Sequence, residues 1–155
     1  MKPPNNDKEF DDNINEKLEH YVYGLFDPKD NLPFYIGKAG GKSGKGNARI
    51  LHHFHEAKQK LCLIDNSEKI ERIQKIWARG QEVDWKILRS GLKTEEEAFA
   101  VEAALIDTIK ACGIKLCNKH SGHHSRQRGL LLREDIYAWA APAFDQRTIS
   151  AELRG

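Results

Sequence analysis

Apolar, strand-forming residues fill two neighbouring runs, Tyr21 to Phe26 and Phe34 to Gly37, and a polar stretch separates them. That stretch, Asp27-Pro28-Lys29-Asp30-Asn31-Leu32-Pro33, is built of turn residues, so the pattern predicts a β-hairpin. With its turn centred near Lys29, Tyr23 and Tyr35 fall opposite one another, where side chains on one face can meet. From Ala48 the period changes. Ile50, Leu51, Phe54, Ala57 and Leu61 recur at helical spacing and predict an amphipathic helix. Asn66 or Ser67 can cap a second helix with Ile70, Ile73 and Trp77 facing inward and Gly80 at its end. Val83, Trp85 and Ile87 alternate as a third strand. Thr94-Glu95-Glu96-Glu97 reads as a capping box that opens a third helix running to about Ala111. The order β-β-α-α-β-α has too few strands for a doubly wound sheet. It predicts an α/β (α+β) fold, a small and mainly antiparallel three-stranded sheet flanked by helices.

At 155 residues the chain fits one domain with tails. Residues 1–19 read as a flexible acidic arm, with room for a short turn of helix at its end, and residues 20–120 as the folded domain. Residues 121–155 read as a C-terminal extension, a basic loop and then a short helix around Glu134 to Ala141, stopped by Pro142. Apolar residues at 39% and charged residues at 31% suit a soluble globular protein. No apolar run is long enough for a membrane span, and the N-terminus lacks a signal-peptide core. Cys62, Cys112 and Cys117 have no framework spacing, which suits a reduced, intracellular setting.

The formal net charge of +2 hides an asymmetry. Lys38 to Lys60 carries six basic residues against Glu56 alone, and Lys110 to Arg133 carries six with no acidic residue. Asp7 to Glu19 is acidic. Two positive segments set apart by ordinary sequence predict a face for a polyanion, nucleic acid above all. The third helix holds a sharper anomaly. Glu102 has Ala98, Phe99, Leu105 and Ile106 three and four residues away, so it projects from the apolar side. Burying an uncompensated carboxylate is costly, so an arginine, a metal ion or exposure in a cleft has to compensate it. On the first helix Arg49 and His53 are four residues apart and share a face beside the apolar stripe. Arginine suits bidentate phosphate binding, and histidine exchanges a proton near neutral pH. The loop Gly40-Gly41-Lys42-Ser43-Gly44-Lys45-Gly46 lacks the spacing of a nucleotide-binding P-loop, which excludes an NTPase of that type.

Taken in order, Tyr21-Val22-Tyr23, Tyr35-Ile36-Gly37-Lys38, Arg49, His53, Glu102 and Asn118 resemble the GIY-YIG nucleases. The resemblance covers His20 to Asn118. It is nearest to the branch containing the LEM-domain nucleases and their bacterial relatives, from the wording of Asp27-Pro28, Pro33-Phe34-Tyr35, Leu88-Arg89-Ser90-Gly91-Leu92 and Val101-Glu102-Ala103-Ala104. One departure stands out: Tyr21 occupies the place of the name-giving glycine. The resemblance implies a metal-dependent DNA endonuclease that hydrolyses phosphodiester bonds in repair, recombination or restriction. It implies one divalent metal, Mg²⁺ or Mn²⁺, held by Glu102. It also implies Tyr23 as general base with Lys38 supplying nearby positive charge, and Tyr35 orienting water or phosphate. Arg49 would neutralise charge on the phosphoryl group, and His53 would bond a tyrosine or the phosphate. Asn118 would brace the site or touch the scissile strand. Lys38, Lys42, Lys45, Arg49, Asn118, Lys119, Arg126 and Arg128 are the candidate DNA contacts.

Two other readings compete. Cys112, Cys117, His120 and His123 form a Cys/His string off the usual finger spacing, which suggests a zinc-binding module. A catalytically silent nucleic-acid-binding domain is the other, and such a domain should lack one of Tyr23, Arg49 or Glu102.

Overall fold

The computed structural model describes residues 8–41, 47–59, 67–119 and 129–142. Strands β1 (His20–Asp27), β2 (Leu32–Gly40) and β3 (Asp84–Leu92) form one sheet of order β2-β1-β3. Both pairings are antiparallel. Helices α2 (Ala48–Gln59) and α3 (Glu68–Ala78) connect β2 to β3, and α4 (Glu95–Ala111) follows β3. The expected order and sheet are therefore present, with α1 (Asp12–Leu18) added in front. A 3₁₀ turn (Arg133–Asp135) and α5 (Ile136–Ala140) come after.

Being central, β1 is covered on both faces, and Tyr21 through Leu25 are all buried. One face sends Tyr21, Tyr23 and Leu25 into a core with Ile50, Phe54, Ile70, Ile73 and Ile76 from α2 and α3. The other sends Val22 into a smaller core with Ile36, Leu92, Ala98 and Ile106, under α4. Burying each such large apolar side chain contributes about 1.5–3 kcal/mol. The helix ends follow local chemistry. Ser67 Oγ accepts from the Ile70 N–H and Thr94 Oγ1 from the Glu97 N–H. Gly80, at φ +73°, ends α3 in the left-handed conformation that glycine adopts cheaply.

The hairpin differs from expectation in register. Asp27 faces Leu32, so the turn is Pro28 to Asn31, centred later than Lys29. A bulge at Leu25/Phe26 then shifts the pairing again, because Leu25 faces Tyr35 while Phe26 faces Pro33. Phe34 is the extra residue, and it joins the α2/α3 core beside its neighbour Tyr35. The turn is tied down from within. Asp27, 1% exposed, accepts from the Lys29 N–H and pairs with both Arg72 and Arg79.

The described part of the acidic arm is docked, where the sequence suggested a flexible segment. The buried Asn47 side chain accepts from the Phe10 N–H at 2.9 Å and donates to the Lys8 carbonyl at 2.8 Å. The Phe10 ring lies 5.8 Å from that of Trp85, and Leu18 packs against the larger core.

Beyond α4 the chain returns along the open edge of β2. The Cys117 N–H donates to the Phe34 carbonyl at 2.6 Å. Asn118 accepts from the Ile36 N–H at 3.1 Å and donates to the Ile36 carbonyl at 2.7 Å.

Candidate active site

The end of the hairpin away from its turn gathers the polar side chains. Tyr23 stands opposite Gly37, not Tyr35 as expected, because of the later turn and the bulge. Tyr35 is its diagonal neighbour on the same face, with ring centroids 6.4 Å apart. The two phenols still meet, and the register explains Gly37. A Cβ there would come within 2.6 Å of Tyr23 Cζ and Oη, so the ring lies directly on the glycine.

His53 comes from α2. The sequence placed it beside the apolar stripe, yet it is only 4% exposed. Tyr23 and Tyr35 extend the buried surface over it. Its Nε2 lies 2.8 Å from Tyr23 Oη, and its ring meets Tyr35 edge-on at 5.2 Å. Burial first, then the positive charges of Lys69 and Arg49, push the imidazole down to about 3, so it is neutral at physiological pH. Its Nδ1 has no hydrogen-bond partner among the described residues. Burial likewise raises the Tyr23 phenol well above its ordinary value, and Tyr35 and Glu102 push the same way while Arg49 opposes them. Tyr35 is raised by burial, with Arg49 pulling down and Glu102 pushing up.

Glu102 is half-buried on α4. Burial raises its carboxyl, and Lys38 and Arg49 only partly offset that. Among the described residues it has no hydrogen bond or close ion pair. Its carboxyl is therefore drawn partly out of water without a bonded cation, with Lys38 and Arg49 acting on it only at longer range. Seven residues earlier on the same helix, two turns away, Glu95 holds the Lys38 ammonium at 2.7 Å. Phe99, between them, lies under that ammonium at 3.9 Å. Lys38 is thus committed to the α4 side, and the cation that acts on Tyr23 is Arg49, exposed on α2.

The remaining sequence candidates fall elsewhere. Asn118 spends its amide on the backbone of Ile36, next to Tyr35, and so braces the strand that carries that phenol. Lys119 is exposed just beyond it. Lys42, Lys45, Arg126 and Arg128 lie outside the described residues. Of the cysteine and histidine string, Cys112 is exposed at the end of α4 and Cys117 packs on the larger core, while His120 and His123 lie outside the described residues. Among the described residues no three His, Cys, Asp or Glu side chains converge as a metal cluster. No described helix is long and apolar enough to cross a membrane. Lys69 is absent from the sequence candidates. Its signal is a lysine in the first turn of α3, the end of a helix where a positive charge is disfavoured.

Residues 31–134 match the model of the LEM-3-like GIY-YIG domain. The match begins within the hairpin turn and runs into the 3₁₀ turn, leaving β1 and its Tyr23 just outside. A relative from Caenorhabditis elegans, named as an ankyrin repeat and LEM domain-containing protein 1 homolog, is 29% identical over 89 residues. That alignment takes in 57% of this chain but only 12% of the relative's length. No solved structure gives a significant match. With the family model spanning most of the sheet and the helices that hold Arg49, His53 and Glu102, the chain belongs to the LEM-3-like GIY-YIG domain family.

Proposed function

We propose that the protein is a metal-dependent DNA endonuclease that hydrolyses phosphodiester bonds, acting inside the cell. The observation that carries this reading is electrostatic. One carboxylate, Glu102, and one guanidinium, Arg49, both act on the buried Tyr23 phenol and the partly buried Tyr35 phenol. A base, a cation and an acceptor for a second cation therefore share one pocket of charge.

A single carboxylate suits a hard cation such as Mg²⁺, which keeps several waters and takes one or two carboxylates plus substrate phosphates. The fit is supported by Glu102 itself, raised by burial and without a bonded partner among the described residues. When bound there, Mg²⁺ or Mn²⁺ would supply Lewis-acid stabilisation of charge on the phosphate and the leaving oxygen.

The protein's own groups divide the remaining work. At neutral pH Tyr23 is a phenol and His53 a neutral imidazole, so the hydroxyl can donate to Nε2 across 2.8 Å. The phenol oxygen then faces the attacking water with its lone pairs. As water attacks phosphorus, its proton passes to Tyr23 while the phenol proton moves onto His53, so no free phenolate is needed. An arriving phosphate anion offsets the positive charges of Lys69 and Arg49, which add to burial in holding the His53 pKa down. Tyr35 orients the water or the phosphate, and Arg49 offsets charge building on the phosphoryl oxygens.

The test is incubation of the purified protein with supercoiled, linear and branched DNA, with Mg²⁺ and with EDTA. Metal-dependent strand cleavage is expected, and Glu102→Gln should abolish it without altering the fold. Absence of cleavage on every substrate would move the chain to the alternative, a catalytically silent DNA-binding domain.

A further inference from the structure

The motif lysine, Lys38, gives its bond to a residue outside the motif. It stands on β2 opposite Val22, which packs under α4, so its side chain lies on the α4 face of the sheet. Its ammonium lies 2.7 Å from Glu95 Oε1 and 3.9 Å from the centroid of the Phe99 ring. Glu95, Phe99 and Glu102 follow at spacings of four and three residues, so they form one stripe along α4. About 10 Å of helix axis separates the two carboxylates, at 1.5 Å per residue. The ring occupies the middle of that stripe.

One ammonium therefore has two carboxylates within its field, since the charge of Lys38 pulls on Glu102 as well as on Glu95. The two are not equivalent. Glu95 is exposed in the first turn of α4, where the helix dipole already favours a negative charge. Glu102 is half-buried, and burial raises its carboxyl. An ammonium bonded to Glu102 would occupy an oxygen that a divalent cation needs, and would add a repelling charge beside it. We propose that Glu95 is a positioning residue, which holds Lys38 over the Phe99 ring and off Glu102 and so leaves that carboxylate open to the metal. This rests on the nuclease reading for the metal, but the choice of partner by Lys38 can be measured without one.

The first measurement is Mn²⁺ binding to the full chain, read by water proton relaxation. The variants are Glu95→Gln, Glu96→Gln, Glu102→Gln and the double variant Glu95→Gln/Lys38→Met. Glu96 is the control, because it is exposed in the same first turn and Lys38 bonds Glu95 instead. Glu95→Gln should weaken Mn²⁺ binding by about tenfold, the low end of what outer partners of a metal ligand contribute. Removing Lys38 as well should restore the affinity, and Glu96→Gln should change it far less. Equal losses in Glu95→Gln and Glu96→Gln, or a double variant as weak as Glu95→Gln, overturn the proposal. The second measurement is made in EDTA. Thermal unfolding of Lys38→Met, Glu102→Gln and their combination gives the coupling between these two residues. The coupling should be near zero in the wild-type background and stabilising in the Glu95→Gln background. No gain of coupling there also overturns the proposal. If Glu102→Gln binds Mn²⁺ as tightly as the wild type, the metal reading itself fails, while the coupling still decides whether Glu95 keeps Lys38 off Glu102.

Discussion

The two ends of the hairpin bury polar groups in opposite ways. At the turn, Asp27 is enclosed and fully answered by one backbone N–H and two guanidiniums. Burial alone would raise its carboxyl, but those partners outweigh it and hold the pKa below the ordinary value. At the other end the balance is reversed. Glu102 is raised, Tyr23 is raised, and the His53 ring keeps one nitrogen without a partner among the described residues. One strand, β1, carries both Asp27 and Tyr23, so the contrast is drawn within a single element. A buried charge that is satisfied braces a fold; one that is left in want is poised for something brought from outside.

The comparison breaks most readily at Glu102. Glu102→Gln is expected to lose all metal-dependent cleavage yet unfold no more easily than the wild type. The sign follows from its raised pKa. A carboxyl that ionises less readily when folded weakens the fold at neutral pH, and amide replacement removes that strain. A marked drop in thermal stability would show that Glu102 belongs with Asp27 as a structural charge.

Next in size is the converse change. Asp27→Ala should cost about 3–5 kcal/mol in denaturant unfolding, since it leaves two arginines facing a hollow. The lower figure is expected, because Arg72 and Arg79 are partly exposed and can turn to water. Cleavage per folded molecule should hardly change.

Tyr23→Phe sharpens the contrast within one residue. Removing the hydroxyl should lower single-turnover cleavage by ~10²–10⁴ while costing no more than about 1–2 kcal/mol of stability. A mutant that cleaves normally would shift the role of base to Tyr35.

The smallest effect is one of pH. His53 has a folded pKa of about 3 against 6.5 for a free imidazole. Between these values the unfolded chain takes up a proton that the folded chain refuses, so stability falls as pH drops below about 6.5. Asp27 acts only further down, where its lowered pKa is reached. Thermal melts of His53→Gln from pH 7 to 5 should therefore be flatter than those of the wild type.

Much of the fold is legible in the sequence because it is local. The helices announce themselves in the spacing of Ile50, Phe54 and Ala57 and of Ile70 and Ile73, and the Thr94 cap and Gly80 stop fall where the sequence puts them. Glu102 stands out by the same periodicity. What stays hidden depends on partners distant in sequence. The bulge that sets Tyr23 over Gly37 is a property of two strands together. His53 sits on the border of its stripe, and only the rings of another element decide that it is buried. The docking of residues 8–18 hangs on Asn47, a single side chain nearly forty positions away.

The return of the chain along β2 bears on where this domain can be cut. An outer strand with free N–H and C=O groups is a template for pairing with other chains. Here Cys117 and the Asn118 amide occupy that template at Phe34 and Ile36, while Leu116 and Cys117 reach the two cores on either side of the sheet. Truncation at the end of α4, which looks natural from the helix alone, would strip this selvedge from the cloth. Beside the phenols it would expose a strand edge ready to bind a second molecule, and aggregation would then be mistaken for loss of activity.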